Sequence, residues 1–257
     1  MENINKSRLK FWDSRATLGA AAGSNDIILK ELEIENISNL LADCETILDA
    51  GCGNGITAIS ILKKYANAKV YGFDYSKTMV QEAKSLGDEE GVSDRLKLEV
   101  GDLTCPPFSE KLFDAVYTER SLINLNGQDQ QKIAISALVN KLKPNGRIVL
   151  CESFKDGLEE INSFRSSVGL DEIQQPWHNN YFRVKDLESL IPEDVEIEKI
   201  VNFSSTYYFL SRVVNAWLAK QNQEEPSYDA LINKLAFSMP NLELCSQAKI
   251  VVLKKRI

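Results

Sequence analysis

From residue 25 to 152 the apolar positions fall into short blocks whose period switches between that of a helix and that of a strand. IILKELEIENISNLLA carries apolar residues at helical spacing and follows Ser24, Asn25 and Asp26, which offer N-cap oxygens. ETILDA (45–50) is a short apolar run ending in a turn signal and predicts a buried strand. ITAISILKKYA (56–66) predicts a helix, KVYGFD (69–74) a second strand, and SKTMVQEAKSLG (76–87) a helix with a Ser cap and a Gly stop. RLKLEVGD (95–102) and FDAVYT (113–118) predict two more strands. QDQQKIAISALVNKL (128–142) predicts a helix, KPNG (143–146) a turn and RIVLCE (147–152) a fifth strand. Such alternation implies right-handed βαβ units and a parallel sheet. Beyond 152 the rhythm changes. Helices are expected near 156–166, 184–190, 206–220 and 227–237, and strands near 194–203 and 247–254.

The pattern predicts one α/β domain over 1–257, doubly wound and mostly parallel, with seven strands once the two late ones join. Residues 1–44 form an N-terminal helical cap and 45–152 the ligand-binding core. Residues 153–257 complete the sheet and supply a helical lid over its C-terminal edge. The 257 residues suffice for a large core of this kind.

Charge and cysteine usage narrow the partners. A net charge of −7 disfavours a broad nucleic-acid-binding face. The basic run 254–256 reads as a solvated tail. Five scattered cysteines without a CxxC argue against a disulfide framework and a zinc site. The polar start MENINKSRLKFWDSR has no apolar core of a signal peptide, and no run is long enough to span a membrane. The expectation is a cytoplasmic protein with no membrane span, no nucleic-acid partner and no metal; its oligomeric state is left open.

The most informative segment is Ile47-Leu48-Asp49-Ala50-Gly51-Cys52-Gly53-Asn54-Gly55, where a buried strand runs into three alternate glycines and a helix. Glycine lets backbone approach a ligand closely, and the helix N-terminus offers unpaired N–H groups. Asp74, at the end of the second strand, can accept from both hydroxyls of a ribose. A dinucleotide fingerprint would require glycine at 56, where Ile56 stands. Asp49 would repel a pyrophosphate but suits a ligand's ammonium group. Both residues disfavour an NAD-dependent oxidoreductase.

In this order the motifs resemble those of the class I S-adenosylmethionine (SAM)-dependent methyltransferases, of Rossmann-like fold, over residues 45–152. LDAGCGNG resembles the first motif and implies cofactor contacts from Asp49, Gly51, Gly53, Asn54 and Gly55. GFDYS (72–76) is similar to the second, with Asp74 as the ribose acid and Tyr75 beside it. GDL (101–103) is similar to the third, with Asp102 at the adenine amino group and Leu103 adjacent. FDAVYTERSLINL (113–125) resembles the fourth strand and its loop, where Glu119 can meet cofactor or acceptor. LKPNGRIVL (142–150) is similar to a turn-and-strand that usually reads LKPGG; Asn145 stands for glycine and tolerates the same left-handed backbone. The N-terminal stretch 11–26 often folds over the cofactor in such enzymes. It offers Arg15 to the SAM carboxylate and Trp12 as a cover, or else a surface arginine and a packed tryptophan.

Methyl transfer needs alignment of acceptor and methyl carbon, and a hydroxyl acceptor also needs a base. The single histidine, His178 in QQPWHNNY, is the candidate base; the alternative is an ordinary loop histidine. On an ideal helix over 206–220, Tyr208, Arg212 and Asn215 share a polar stripe opposite Leu210, Val213, Val214 and Trp217. The stripe either lines a substrate pocket or faces water. Tyr181, Arg165 and Arg183 are further candidates for acceptor contacts. The tail is similar to methyltransferases of bacterial saccharide and polysaccharide biosynthesis, implying O-methylation of a sugar or another polar small molecule. N-methylation of a metabolite or protein, and SAM binding without turnover, are the alternatives.

Overall fold

The computed structural model describes residues 2–256. Met1 and Ile257, the outer ends of the expected cap and lid, lie outside it. Seven strands form one sheet: β1 (Thr46–Ala50), β2 (Lys69–Asp74), β3 (Leu96–Val100), β4 (Phe113–Glu119), β5 (Leu142–Ser153), β6 (Val195–Val201) and β7 (Ala248–Lys255). Their order is β3-β2-β1-β4-β5-β7-β6. The first five are parallel, and β7 runs antiparallel to both β5 and β6. The strand order reverses between β1 and β4, the place where open α/β sheets leave a crevice at their carboxyl ends.

Six longer helices flank the sheet: α1 (Glu2–Asp13), α2 (Ile27–Leu40), α3 (Ile56–Lys64), α4 (Lys77–Glu89), α5 (Gln128–Val139) and α6 (Lys155–Ser167). Strand side chains alternate between two cores. Ile47, Tyr117, Val149 and Ile250 face the core built with α2, α3 and α4, whereas Leu48, Val116, Ile148 and Val251 face the one built with α5. This two-sided burial is why the strands read as nearly continuous apolar runs. No helix among the described residues is long and apolar enough to cross a membrane.

Caps follow the sequence, with one correction. The Asp26 side chain accepts from Leu29 N–H and Ser76 from Met79 N–H. Gly87, however, does not stop α4. The helix runs to Glu89 and turns at Gly91 (φ +68°), while Gly87 leaves room for Leu96. Asn145 takes the left-handed conformation (φ +63°) at an irregularity where β5 joins β4.

The late helices depart further. The expected 206–220 helix is a composite: Ser205–Tyr208, a π-helical stretch Phe209–Val214, then Asn215–Gln221. Leu210, Val213 and Val214 of the expected apolar face do pack on the core, but the wider π turns shift the face beyond them. Trp217 is accordingly 40% exposed rather than packed. The expected 227–237 helix shrinks to Leu231–Lys234 and a 3₁₀ turn, Leu235–Phe237.

Candidate functional site

A cavity of about 250 Å³ opens where β1, β2 and β4 end, roofed by α1. One wall is the glycine loop. Gly51, Gly53 and Gly55 all have positive φ (+84°, +52° and +79°). At Gly51 a Cβ would stand 2.4 Å from Ser121 Cβ, so the loop passes against the end of β4 with no room for a side chain. Gly51 and Cys52 donate their N–H groups to Phe73 O (2.8 and 2.9 Å), tying the loop to β2. Gly55 does not line the cavity; it caps α3 and lets it pack on Ala83, with 2.9 Å between their β-carbon positions.

The acids arrive from strand ends. Asp74 accepts from Gly53 N–H (2.9 Å) and Ser76 N–H (2.8 Å), so each oxygen is oriented yet keeps acceptor capacity toward the cavity. Burial raises its pKa against those bonds. Asp102 caps its own turn by accepting from Thr104 N–H and Oγ1 (2.8 and 2.5 Å), and it lines the cavity with Leu103. Asp49 is almost fully buried, accepts from Tyr117 Oη at 2.5 Å, and is pushed up by burial to about 8. An ammonium group beside it would favour its charged form. Tyr75 lines the same cavity and donates its hydroxyl to Asn5 O on α1 (2.9 Å). Asn54 also lines it while bracing the N-terminal loop through Gly19 O (2.8 Å).

Beneath Asp49 lies a buried charge cluster. Glu119 accepts from Lys30 Nζ and Thr57 Oγ1, both at 2.5 Å. Arg120 Nε lies 3.1 Å from Glu33 Oε1 without hydrogen-bond alignment. Burial pushes the Glu33 carboxyl up, while Lys30 and Arg120 hold Glu119 down despite its own burial. Glu119 is therefore the anion and Glu33 the proton holder of the pair. Arg120 takes φ +51°, a strained conformation for a side-chain-bearing residue, just as the chain leaves β4.

The loop beyond is fixed by Glu152 on β5. Its carboxylate accepts from the N–H groups of Ser121, Leu122 and Ile123 (3.3, 3.1 and 3.3 Å). Burial outweighs these bonds and raises its pKa to about 7. The loop thereby presents Ser121, Asn124, Leu125 and Asn126 to the cavity. Sequence reasoning passed over Glu152, Lys30, Arg8 and Asn124. The amide-rich SLINLN following β4 was the available signal for the last of these.

Several expected residues are elsewhere. Arg15 does not line the cavity; it donates to Ala22 O (2.6 Å), Ala21 O and Asn25 Oδ1 (3.0 Å), stapling the 15–25 loop. Trp12 does line it. Tyr208, Arg212 and Asn215 neither line the cavity nor face water. Arg212 pairs with Asp26 (2.5 Å) and stacks on Tyr207, Tyr208 and Tyr228, and Asn215 donates to Ser227 O (2.9 Å). The π stretch turns this stripe inward, where mutual pairing replaces a ligand. Tyr181 accepts from Gln247 Nε2 (3.1 Å) outside the cavity. Arg165 donates to Asp171 O (2.7 Å) and to Arg212 O, and Arg183 pairs with Glu159 (2.7 Å).

His178 is close but not inside. Its segment is strapped to the β4 loop by Asn180, whose N–H donates to Ile123 O and whose Nδ2 donates to Leu125 O, both at 2.6 Å. The imidazole packs on Phe11 and Trp12, with ring centroids 4.7 and 5.7 Å away, and its Nδ1 is buried without a partner. Burial, then Arg8 and Arg15, lower its pKa, so the ring is neutral at pH 7. Among the described residues no group of three His, Cys, Asp or Glu side chains is arranged to hold a metal ion.

Residues 47–146 match a family described as "Methyltransferase domain". Sterol 24-C-methyltransferase of Pneumocystis carinii (strain B80) is 33% identical over 102 residues, covering 40% of this chain and 26% of that protein. The chain spans half or less of the length of the curated relatives it matches. Among solved structures, the CcbJ methyltransferase of Streptomyces caelestis superposes with a TM-score of 0.62 at 12% identity, covering 88% of this chain and 90% of its own. The [4+2]-cyclase SpnF gives 0.59 at 21% identity, covering 87% and 82%. These two likenesses concern the fold.

Proposed function

We propose that this chain, whose 47–146 core is a methyltransferase domain of the class I SAM-dependent kind, transfers a methyl group to a polar small molecule, most simply a sugar hydroxyl. The observation that carries the reading is convergence: the glycine loop, Asp74 and Asp102 meet in one cavity whose far wall is amide-rich. SAM, when bound, supplies an electrophilic methyl carbon on a sulfonium. The residues present fit it. Asp74 has acceptor capacity left for ribose hydroxyls, and Asp49 faces an ammonium. The Gly51 passage admits backbone-close binding, and α1 with Trp12 excludes water.

His178 is the proposed base for a hydroxyl acceptor. It is neutral at pH 7, and a shift of α1, against which it packs, would open its path to the cavity. Its place outside the lining favours a second reading, an amine acceptor, which needs no base. The shared fold of a [4+2]-cyclase is a reminder that architecture alone does not fix a reaction. The test is release of S-adenosylhomocysteine with panels of hydroxyl and amine acceptors. His178→Gln should lower kcat on hydroxyl acceptors by about 10²-fold. Wild-type rates in that variant remove the base, and tight binding with no product from any acceptor favours a non-catalytic SAM binder.

A further inference from the structure

Three basic side chains line the cavity, and two of them are paired: Lys30 with Glu119, and Arg120 with Glu33 and Glu119. Arg8 is not. It is 6% exposed. Its Nη1 donates to the neutral Asn126 Oδ1, its Nε is buried without an acceptor, and it makes no ion pair among the described residues. A guanidinium does not shed its proton, so burial cannot neutralise it as it neutralises a carboxyl. An unpaired buried charge is costly, and Arg8 lines the cavity, where an anion can reach it.

The position of Arg8 says which anion. The Asp49 end of the cavity already has its own cations, Lys30 and Arg120. Arg8 lies on another wall, between Tyr75 and Asn126, and near enough to His178 to depress its pKa. Asn124 Oδ1, in the same stretch of lining as Asn126, is likewise buried without a donor. A cation lacking an anion and an acceptor lacking a donor are complementary to an acidic, hydroxylated molecule. We propose that Arg8 is the counter-charge for a carboxylate or phosphate carried by the methyl acceptor, with Asn124 Oδ1 receiving a hydroxyl of the same molecule. This rests on the methyltransferase reading above. It narrows the acceptor from polar to anionic, a uronate or a phosphorylated sugar being representative. With a net charge of −7 the chain repels anions at long range, so this one buried cation supplies the local selectivity.

The test is calorimetry on the full chain saturated with S-adenosylhomocysteine, titrated with glucuronate, glucose 6-phosphate and glucose. The acidic probes should bind wild type about tenfold or more tightly than glucose. Arg8→Gln should erase that preference while S-adenosylhomocysteine affinity stays within about twofold. Arg8→Lys should restore part of the preference, which a folding defect would not do. Equal affinity of wild type for acidic and neutral probes overturns the proposal. So does a loss of S-adenosylhomocysteine affinity in Arg8→Gln matching the loss for the acids, which would assign Arg8 to the cofactor's own carboxylate. A wild type that binds no S-adenosylhomocysteine defeats the underlying methyltransferase reading instead.

Discussion

The two walls of the cavity are built on different principles. The glycine-loop wall is backbone: Gly51 and Cys52 N–H groups bonded to Phe73 O, Gly53 N–H bonded to Asp74, and a passage at Gly51 closed to any Cβ. The wall formed by α1 and the 120–126 loop is side chain: Arg8, Asn124, Asn126, and Glu152 holding the loop from behind. Backbone walls suit a ligand that does not vary, because their geometry is set by φ and largely by main-chain hydrogen bonds such as those to Phe73 O, which do not depend on side-chain identity. Side-chain walls can be rewritten residue by residue, and a variable acceptor belongs there.

The contrast is broken most severely at Gly51. Gly51→Ala adds a Cβ that meets Ser121 and forces an L-residue into φ +84°. Strain of about 1–3 kcal/mol plus the clash should weaken S-adenosylhomocysteine binding about 100-fold by calorimetry. Adding Ser121→Gly should recover part of the loss, since it relieves the clash but not the dihedral. Full recovery would mean the backbone conformation is not what the loop contributes.

Glu152 offers a smaller and more selective lesion. In Glu152→Gln one oxygen becomes an NH₂ group facing a backbone N–H, so a bond at 121–123 is replaced by donor against donor. The cost should be about 1–3 kcal/mol of stability in urea denaturation. Amide hydrogen exchange at 121–123 should accelerate while the 51–55 amides keep their protection. The pH sign follows from the raised pKa. Folded Glu152 holds its proton up to about 7, above its ordinary 4.5. The associated stability is fully present below about 4.5 and is lost as pH rises through about 7. The wild type should therefore lose stability over that window more steeply than Glu152→Gln.

This division also explains what was legible in the sequence. The five parallel strands and the glycine loop follow from apolar blocks and from residues with unusual backbone freedom, both local signals. The antiparallel β7 completed the sheet because its run 248–253 is buried on both faces. From sequence the polar stripe Tyr208, Arg212, Asn215 stays open between a pocket and water, because no local signal announces the π stretch at Phe209–Val214 or the pairing of Arg212 with Asp26, nearly two hundred positions away in the chain. Glu119 is expected at the cofactor or acceptor, but nothing local in the sequence joins it to Lys30, Glu33 and Arg120. Only the docking of α2 on the end of β4 makes them a buried cluster. Pairings of high sequence separation leave no periodic trace.

Arg15 sharpens the comparison from the side where little should happen. As the only arginine in the 11–26 stretch, it was the natural partner for a cofactor carboxylate. Instead its guanidinium is spent on Ala21 O, Ala22 O and Asn25 Oδ1. Arg15→Ala should cost about 1.5 kcal/mol of stability through those bonds, at the low end for hydrogen bonds to a charged group. S-Adenosylhomocysteine affinity should stay within about twofold, because Arg15 does not itself line the cavity and meets it only through the carbonyl of Ala22. Arg8→Gln in the same assay should leave that affinity equally intact and change only the response to anions. If Arg15→Ala alone weakened cofactor binding tenfold, the 15–25 loop would have to open and re-aim its arginine on binding. The α1 wall would then belong to the cofactor as much as to the acceptor.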